Sequence, residues 1–318
     1  MSLRSLLRVT DLTPSDLAAL LRRAREYKAN PNLSPDLLRG QSVTLYFTKP
    51  STRTRISFET AVHRLGGLPI RVGTDDLQIG RGETIEDTAC VISRYSRAFV
   101  MRTFADDEVE RFDRAATIPV INALTDGHHP CQALADLMTL EEHFGRIAGL
   151  NVAYVGAGNN VTHSLMEACA LAGANVRVAT PGSLGPDPSI VEGARSLGKK
   201  LGVSVDVGDD PEKAVANADV VYADTWLSMG DPEDERRLRM MALEPYRVDE
   251  ALMAKAKPSA LFLHCLPAHR GEEVSAKVAD REGSKLFDQA ENKLHTSLAV
   301  LDALVRGTLE GAPRPKRG

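Results

Sequence analysis

The segment Lys49-Pro50-Ser51-Thr52-Arg53-Thr54-Arg55 gathers hydroxyl and guanidinium groups between a short apolar run and a helical pattern. Ser51 reads as the N-cap of that helix. A helix N-terminus presents unpaired backbone N–H groups and the positive end of a dipole, which is already an anion site. Arg53 and Arg55 add charge-assisted, forked hydrogen bonds of the kind that grip a phosphate. The bland alternative is an N-capped helix with a solvated basic first turn. Cations at that end oppose the dipole, however, so two of them need a reason.

Other reactive side chains stand at the ends of apolar runs. Arg102 closes Ala98-Phe99-Val100-Met101, and His129 and Gln132 follow Pro119-Val120-Ile121-Asn122-Ala123. Asn160 follows Gly156-Ala157-Gly158-Asn159. Asp224, Ser228 and Met229 follow Ala218-Asp219-Val220-Val221-Tyr222-Ala223, and Cys265 and Leu266 follow Ala260-Leu261-Phe262-Leu263. Doubly wound α/β sheets bind ligands outside the carboxyl ends of their strands, where these residues fall. His128 and His129 invite a metal, but successive residues on a turn do not face one site, and no acid or thiol completes a sphere at the usual spacing. A hydrogen-bond donor is the better reading of His129. A lone buried cysteine is usually inert; Cys265, at a strand end beside Pro267 and near cations, is a better functional candidate.

The elements that must position these groups alternate between strand and helix. Residues 14–29 predict an amphipathic helix, Val43-Thr44-Leu45-Tyr46-Phe47 a buried strand, and Phe58, Ala61, Val62 and Leu65 the inner face of the helix after Arg53. Residues 70–72 predict a strand, 75–82 a glycine-punctuated loop, and 84–95 a helix. A boundary falls near residues 145–149. Beyond it, Asn151-Val152-Ala153-Tyr154-Val155, a Gly-x-Gly turn, a helix over 161–172 and Val176-Arg177-Val178-Ala179 form a βαβ unit. The turn invites a dinucleotide, but the third glycine position is Val161, and Thr180-Pro181 stands where a ribose-binding acid is wanted. Residues 231–239 are charge-dense with no apolar face, which predicts a solvated loop or a lid over substrate. A helix over 295–310 is expected to pack back on the first domain.

The chain has 318 residues, suited to two domains of about 150 each. These are expected over 1–147 and 148–294, with 311–318 as a disordered tail. A formal net charge of −4 gives no global basic field for nucleic acid or an anionic membrane, so anion binding must be local. No apolar run reaches the length of a membrane span, and residues 1–16 leave no room for a targeting peptide. Four cysteines at spacings that fit neither zinc nor a compact disulfide framework suggest reduced thiols and a cytoplasmic location.

Phe47-Thr48-Lys49-Pro50-Ser51-Thr52-Arg53-Thr54-Arg55 resembles the carbamoyl-phosphate signature of the aspartate/ornithine carbamoyltransferase family. His129-Pro130-Cys131-Gln132 matches its His-Pro-x-Gln motif, and Asp224-Thr225-Trp226-Leu227-Ser228-Met229-Gly230 and His264-Cys265-Leu266-Pro267 are similar to its ornithine branch. The resemblance implies two α/β, doubly wound parallel-sheet domains with the active site in the cleft between them, no cofactor and no metal. It implies a homo-oligomer, a trimer or a multiple of trimers, and transfer of a carbamoyl group to the δ-amine of ornithine, giving citrulline for arginine biosynthesis.

Carbamoyl phosphate is then expected at Ser51, Thr52, Arg53, Thr54, Arg102, His129, Gln132, Cys265 and Leu266, with Gln78 reaching the site of a neighbouring subunit. Ornithine is expected at Asn160, Asp224, Ser228, Met229 and Cys265. Arg53, Thr54, Arg102, His129 and Cys265 carry the catalytic expectation. One departure stands out: Lys293, in Ala290-Glu291-Asn292-Lys293-Leu294-His295, occupies the position of a family arginine. It is expected to keep an electrostatic role as a single-point contact, the alternative being a solvated surface lysine. Competing classes are a different acceptor amine (N-acylornithine, putrescine or aspartate), a non-catalytic carbamoyl-phosphate-binding subunit, and a nicotinamide oxidoreductase.

Overall fold

A computed structural model describes residues 3–79, 82–227 and 233–308. The chain forms two compact units, Met1–Met138 with Glu291–Gly318, and Thr139–Ala290. In chain order the first contains α1 (Pro14–Ala29), β1 (Ser42–Phe47), α2 (Arg53–Arg64), β2 (Leu68–Val72), α3 (Ile85–Tyr95), β3 (Phe99–Arg102), α4 (Asp106–Ala115), β4 (Val120–Leu124) and the start of α5 (Pro130–Phe144). Its sheet has the order β2-β1-β3-β4, with every pairing parallel. Residues 43–46 are buried without a break, as a central parallel strand covered on both faces requires. Phe99 stacks on Phe112 with ring centroids 3.9 Å apart, fastening α4 to the sheet beside Tyr46, Met101 and Val120.

Register places the chemistry. Phe47 pairs with Arg102, so the carboxyl ends of β1 and β3 lie side by side and both deliver their polar residues to one edge. Pairing of β3 with β4 shifts between Met101 and Arg102, a local irregularity that re-aims the side chain at a strand end. One expectation is corrected here. The N-cap of α2 is Thr52, not Ser51, and it makes no side-chain cap. Thr52 already has helical torsions (φ −84°, ψ −63°), so the backbone has turned before a Ser51 cap could act.

The second unit continues with β5 (Asn151–Val155), α6 (Asn160–Ala172), β6 (Asn175–Ala179), α7 (Pro188–Leu201), β7 (Val205–Gly208), α8 (Pro211–Val215), β8 (Val220–Ala223), α9 (Glu233–Leu243), α10 (Glu250–Met253), β9 (Leu261–His264), α11 (Ala276–Ala279) and the start of α12 (Leu286–Arg306), most of which belongs to the first unit. Its parallel sheet has the order β7-β6-β5-β8-β9, and α6 is buried from Val161 to Leu171. Ala223 pairs with His264, which sets Asp224 and Cys265 next to each other. A Cβ on Gly158 would lie 2.1 Å from the Pro186 nitrogen, so the Gly-x-Gly turn serves close backbone packing.

The segment expected as a solvated loop over 231–239 is helical from Glu233 onward. Leu243 is buried with Trp226 and Ala157, Met240 packs against them, and Arg239 Nε donates to the Trp226 carbonyl at 2.6 Å. The apolar stripe lies at 240 and 243, beyond the charged window. The last helix starts at Leu286 rather than 295. Among the described residues no helix is long and apolar enough to cross a membrane.

Candidate functional site

In the first unit the site grows from the ends of β1, β3 and β4. Arg53 opens α2, and Thr54 behind it is buried. Lys293 Nζ donates to Thr54 Oγ1 at 3.2 Å, and Lys293 is itself only 4% exposed. The solvated-surface reading of Lys293 is therefore excluded. Arg102 Nη1 reaches Ser51 Oγ at 3.5 Å, and Thr48 N pins the Arg102 carbonyl at 3.0 Å. Arg55 has Glu59 as its ion-pair partner at 3.7 Å along the surface of α2, a contact that anchors it to the helix.

His129 is buried immediately before α5. Burial first, then the charges of Lys293, Arg102 and Arg53, hold its imidazole well below the ordinary histidine range, so at neutral pH it is an uncharged ring that can donate one N–H. The loop bearing it is braced from behind. His128 Nδ1 lies 3.1 Å from Asp106 Oδ2, and Thr125 also donates to Asp106. Burial pushes the Asp106 carboxyl up, but these two partners outweigh it and leave it below its usual value. A Cβ on Gly127 would meet the Asp106 carboxylate at 2.0 Å, so a side chain there would push that carboxylate away from its partners. His128 thus faces an acid, whereas the charges acting on His129 are those of three cations. Gln132 Nε2 donates to Asp136 Oδ1 at 2.7 Å, which fixes the amide; its buried Oε1 has no partner among the described residues. That leaves a pre-aimed acceptor, suited to an NH₂ group. Cys131 between them is inert, its thiol pushed up to about 12 by burial.

Asp224 is the centre of the second cluster. Asn159 Nδ2 donates to Asp224 Oδ2 at 2.7 Å, Cys265 Sγ to Oδ1 at 2.8 Å, and Thr225 N to Oδ1 at 2.8 Å. The immediate partner of the Cys265 thiol is thus a carboxylate, where the sequence suggests cations. Asn159 is not among the site residues expected from sequence. With α6 starting at Asn160, it is Asn159 that becomes the N-cap, accepting from Val161 N and Thr162 N while its amide faces Asp224. The signal is present in the Asn-Asn pair, but expecting the helix at 161 moves the cap by one residue. Asn160 is half-buried in the first turn.

Leu266 has φ +62°, rare for a branched side chain, and its N–H donates to His264 Nδ1 at 2.9 Å. Asp224, His264 and Cys265 each offer one ligand-type atom within 4.8 Å of the others. The His264 nitrogen that faces Leu266 is already an acceptor, which makes this a poor cation set. Gln78 is exposed on the loop before α3, its carbonyl accepting from Glu83 N at 3.4 Å. Thr52 is exposed and Ser51 half-buried. Ser228 and Met229 lie outside the described residues.

Similarity to known proteins extends over both units. The model of the aspartate/ornithine carbamoyltransferase carbamoyl-P binding domain matches residues 4–142, and that of the Asp/Orn binding domain matches residues 148–304. The ornithine carbamoyltransferase of Parafrankia sp. (strain EAN1pec) is 51% identical over 316 residues, covering 98% of this chain and 99% of the relative. That of Bacillus subtilis (strain 168) is 46% identical over 302 residues, 95% and 94% of the two chains. The solved ornithine carbamoyltransferase structure from Pyrococcus furiosus superposes with a TM-score of 0.92 at 45% identity, covering 98% of each chain. Family models over both units and relatives of this similarity along nearly the whole length lead to one conclusion: the chain belongs to the aspartate/ornithine carbamoyltransferase family.

Proposed function

We propose that the two clusters are the two binding halves of one transfer reaction. The chain moves the carbamoyl group of carbamoyl phosphate to the δ-amine of L-ornithine, yielding L-citrulline and phosphate, a step of arginine biosynthesis. The observation that carries the site reading is the buried, neutral His129 acted on by Arg53, Arg102 and Lys293, beside a Gln132 oxygen open to an N–H donor.

Arg53, Arg102, Ser51, Thr52 and the first backbone N–H groups of α2 bind the phosphate and stabilise it as it leaves. Thr54, Arg102 and His129 donate to the carbonyl oxygen as charge grows on it. Lys293 holds the Thr54 hydroxyl and adds a cation in a dry setting. Gln132 Oε1 and the Leu266 carbonyl accept from the carbamoyl NH₂. Asp224 pairs the ornithine α-ammonium; Asn160, Ser228 and the Met229 backbone fix the amino-acid head; Cys265 orients the δ-amine. The neutral δ-amine forms the new C–N bond with its lone pair. The C–O pair departs with the phosphate, which takes up the proton that the nitrogen loses. Most of the rate comes from positioning and electrostatics.

The active assembly is a homotrimer or a multiple of trimers in the cytoplasm, with the exposed Gln78 loop serving a neighbouring copy; sedimentation of the purified protein tests the assembly. For the reaction, purified protein is assayed with carbamoyl phosphate and ornithine, N-acetylornithine, putrescine or aspartate. Strong preference for ornithine is expected, because acylation removes the charge that Asp224 pairs. Comparable turnover with any of the other three amines overturns the acceptor assignment.

A further inference from the structure

We propose that Asn159 is a positioning residue for the acceptor amine: its carboxamide caps α6 with the oxygen and aims the Asp224 carboxylate with the nitrogen. The inference deepens the ornithine reading above and rests on it. Tyr154 pairs with Tyr222 across β5 and β8, so the turn after β5 and the segment after β8 leave the sheet side by side. The turn is held tightly. Gly158 N donates to Leu184 O at 2.7 Å, and the Pro186 nitrogen lies 2.1 Å from the place a Gly158 Cβ would take. Asn159 follows with extended torsions (φ −138°, ψ −171°), the backbone of an N-cap.

The partners of the carboxamide fix which end is which. Val161 N and Thr162 N donate to Oδ1 at 3.0 and 3.1 Å, which only an oxygen can accept. The other end faces Asp224 Oδ2 at 2.7 Å, where only the NH₂ can donate. Two N–H groups at the positive end of α6 therefore polarise the amide toward the carboxylate, each bond strengthening the next. Asp224 is 5% exposed. Its Oδ1 takes two donors, Cys265 Sγ and Thr225 N, both at 2.8 Å, whereas Oδ2 takes only Asn159 among the described residues. A carboxylate oxygen accepts about two hydrogen bonds. The place left for an α-ammonium is thus on Oδ2, the atom that Asn159 holds.

The test uses full-length protein with Asn159→Ser and Asn159→Ala. It measures KM for ornithine, the inhibition constant of L-norvaline, the dissociation constant of carbamoyl phosphate and the unfolding temperature. L-norvaline has the amino-acid head of ornithine on a chain that ends in a methyl group, so it reports on the head alone. Ser keeps a capping oxygen, but its shorter side chain does not reach Asp224. KM for ornithine and the L-norvaline constant both rise about tenfold, as expected for one lost hydrogen bond to a charged group. The unfolding temperature and the affinity for carbamoyl phosphate stay at wild-type values. Ala loses cap and donor together, so it matches Ser in both constants and unfolds at a lower temperature. Because Asn159 acts through Asp224, Asn159→Ser adds little further loss to Asp224→Asn. A wild-type KM for ornithine in folded Asn159→Ser overturns the proposal. Equal loss of carbamoyl phosphate affinity also overturns it, as does full additivity with Asp224→Asn. Should Ser not fold, Asn159→Thr, a second capping side chain, decides on the same readings. The wild-type amine panel is read first: preference for another amine fails the acceptor reading, whereas ornithine preference with an unaffected Ser variant fails only the role of Asn159.

Discussion

Around His129 in the first unit, the charges of Arg53, Arg102 and Lys293 act on one buried imidazole. Around Asp224 in the second, a carboxamide, a thiol and a backbone N–H all donate to one buried carboxylate. Both clusters stand at the carboxyl ends of parallel strands, and in both a histidine ring lies close to a carboxylate, His128 by Asp106 and His264 by Glu273. The scaffold is the same; the sign of the charge differs. A chain with a net charge of −4 thus gathers local positive charge in one unit and a negative centre in the other, as the proposed phosphate and ammonium partners require, without a global field of either sign.

The comparison breaks most visibly at Arg53. Arg53→Ala removes a charge-assisted fork from the cationic cluster and should cost about 3–4 kcal/mol of transition-state binding. It is read as kcat/KM for carbamoyl phosphate, and a near-wild-type value would remove Arg53 from the site. Next in size is Asp224→Asn, which neutralises the anionic centre while keeping its shape. KM for ornithine should rise by an amount corresponding to about 2 kcal/mol, and the preference for ornithine over putrescine should narrow. An unchanged KM would show that Asp224 only orders Asn159 and Cys265.

Lys293 sharpens the contrast at smaller scale. Lys293→Met should cost about 1–2 kcal/mol, lowering kcat more than it raises KM for carbamoyl phosphate, whereas Lys293→Arg should be tolerated. Unchanged kcat in the methionine variant would confine Lys293 to holding Thr54. The smallest effect concerns pH and stability. The folded His129 stays neutral because its affinity for a proton is depressed, while the unfolded imidazole takes one up near pH 6.5. Acid therefore favours the unfolded chain, and His129 should withdraw about 1 kcal/mol of stability between pH 6.5 and 5.5. His295, also depressed, chiefly by burial, contributes in the same sense. Denaturant melts of wild type and His129→Gln across that range should give a shallower slope for the variant; parallel slopes would mean that His129 titrates normally when folded.

Much of the candidate site is legible in the sequence alone. Arg102, His129 and Cys265 stand out because uninterrupted apolar runs such as Phe99-Val100-Met101 and Leu261-Phe262-Leu263 suit buried parallel strands, and such strands end where ligands bind. What the sequence leaves open is local by one residue or hidden by distance. Thr52 rather than Ser51, and Asn159 rather than Asn160, begin their helices, because several neighbouring residues could cap and tertiary packing chooses among them. The helix α9 escapes a local reading because Met240 and Leu243 find Trp226 and Ala157 only in the folded unit. Glu273 gives no signal, since nothing in Gly271-Glu272-Glu273-Val274 distinguishes the buried acid from the half-buried one.

By itself, then, the sequence determined the α/β class, the strand-to-helix junctions and the kinds of charge each junction offers. These follow from residue type and from periodicity over a few neighbouring positions, which is information the chain carries locally. Only the tertiary structure decided which junctions meet. Pairing of Phe47 with Arg102 and of Ala223 with His264 joins residues far apart in the chain, and burial of Lys293 against Thr54 joins positions 239 apart. Strand register and helix docking are set by the summed packing of the core, and a change of one residue in register would turn each strand's side chains to the opposite face.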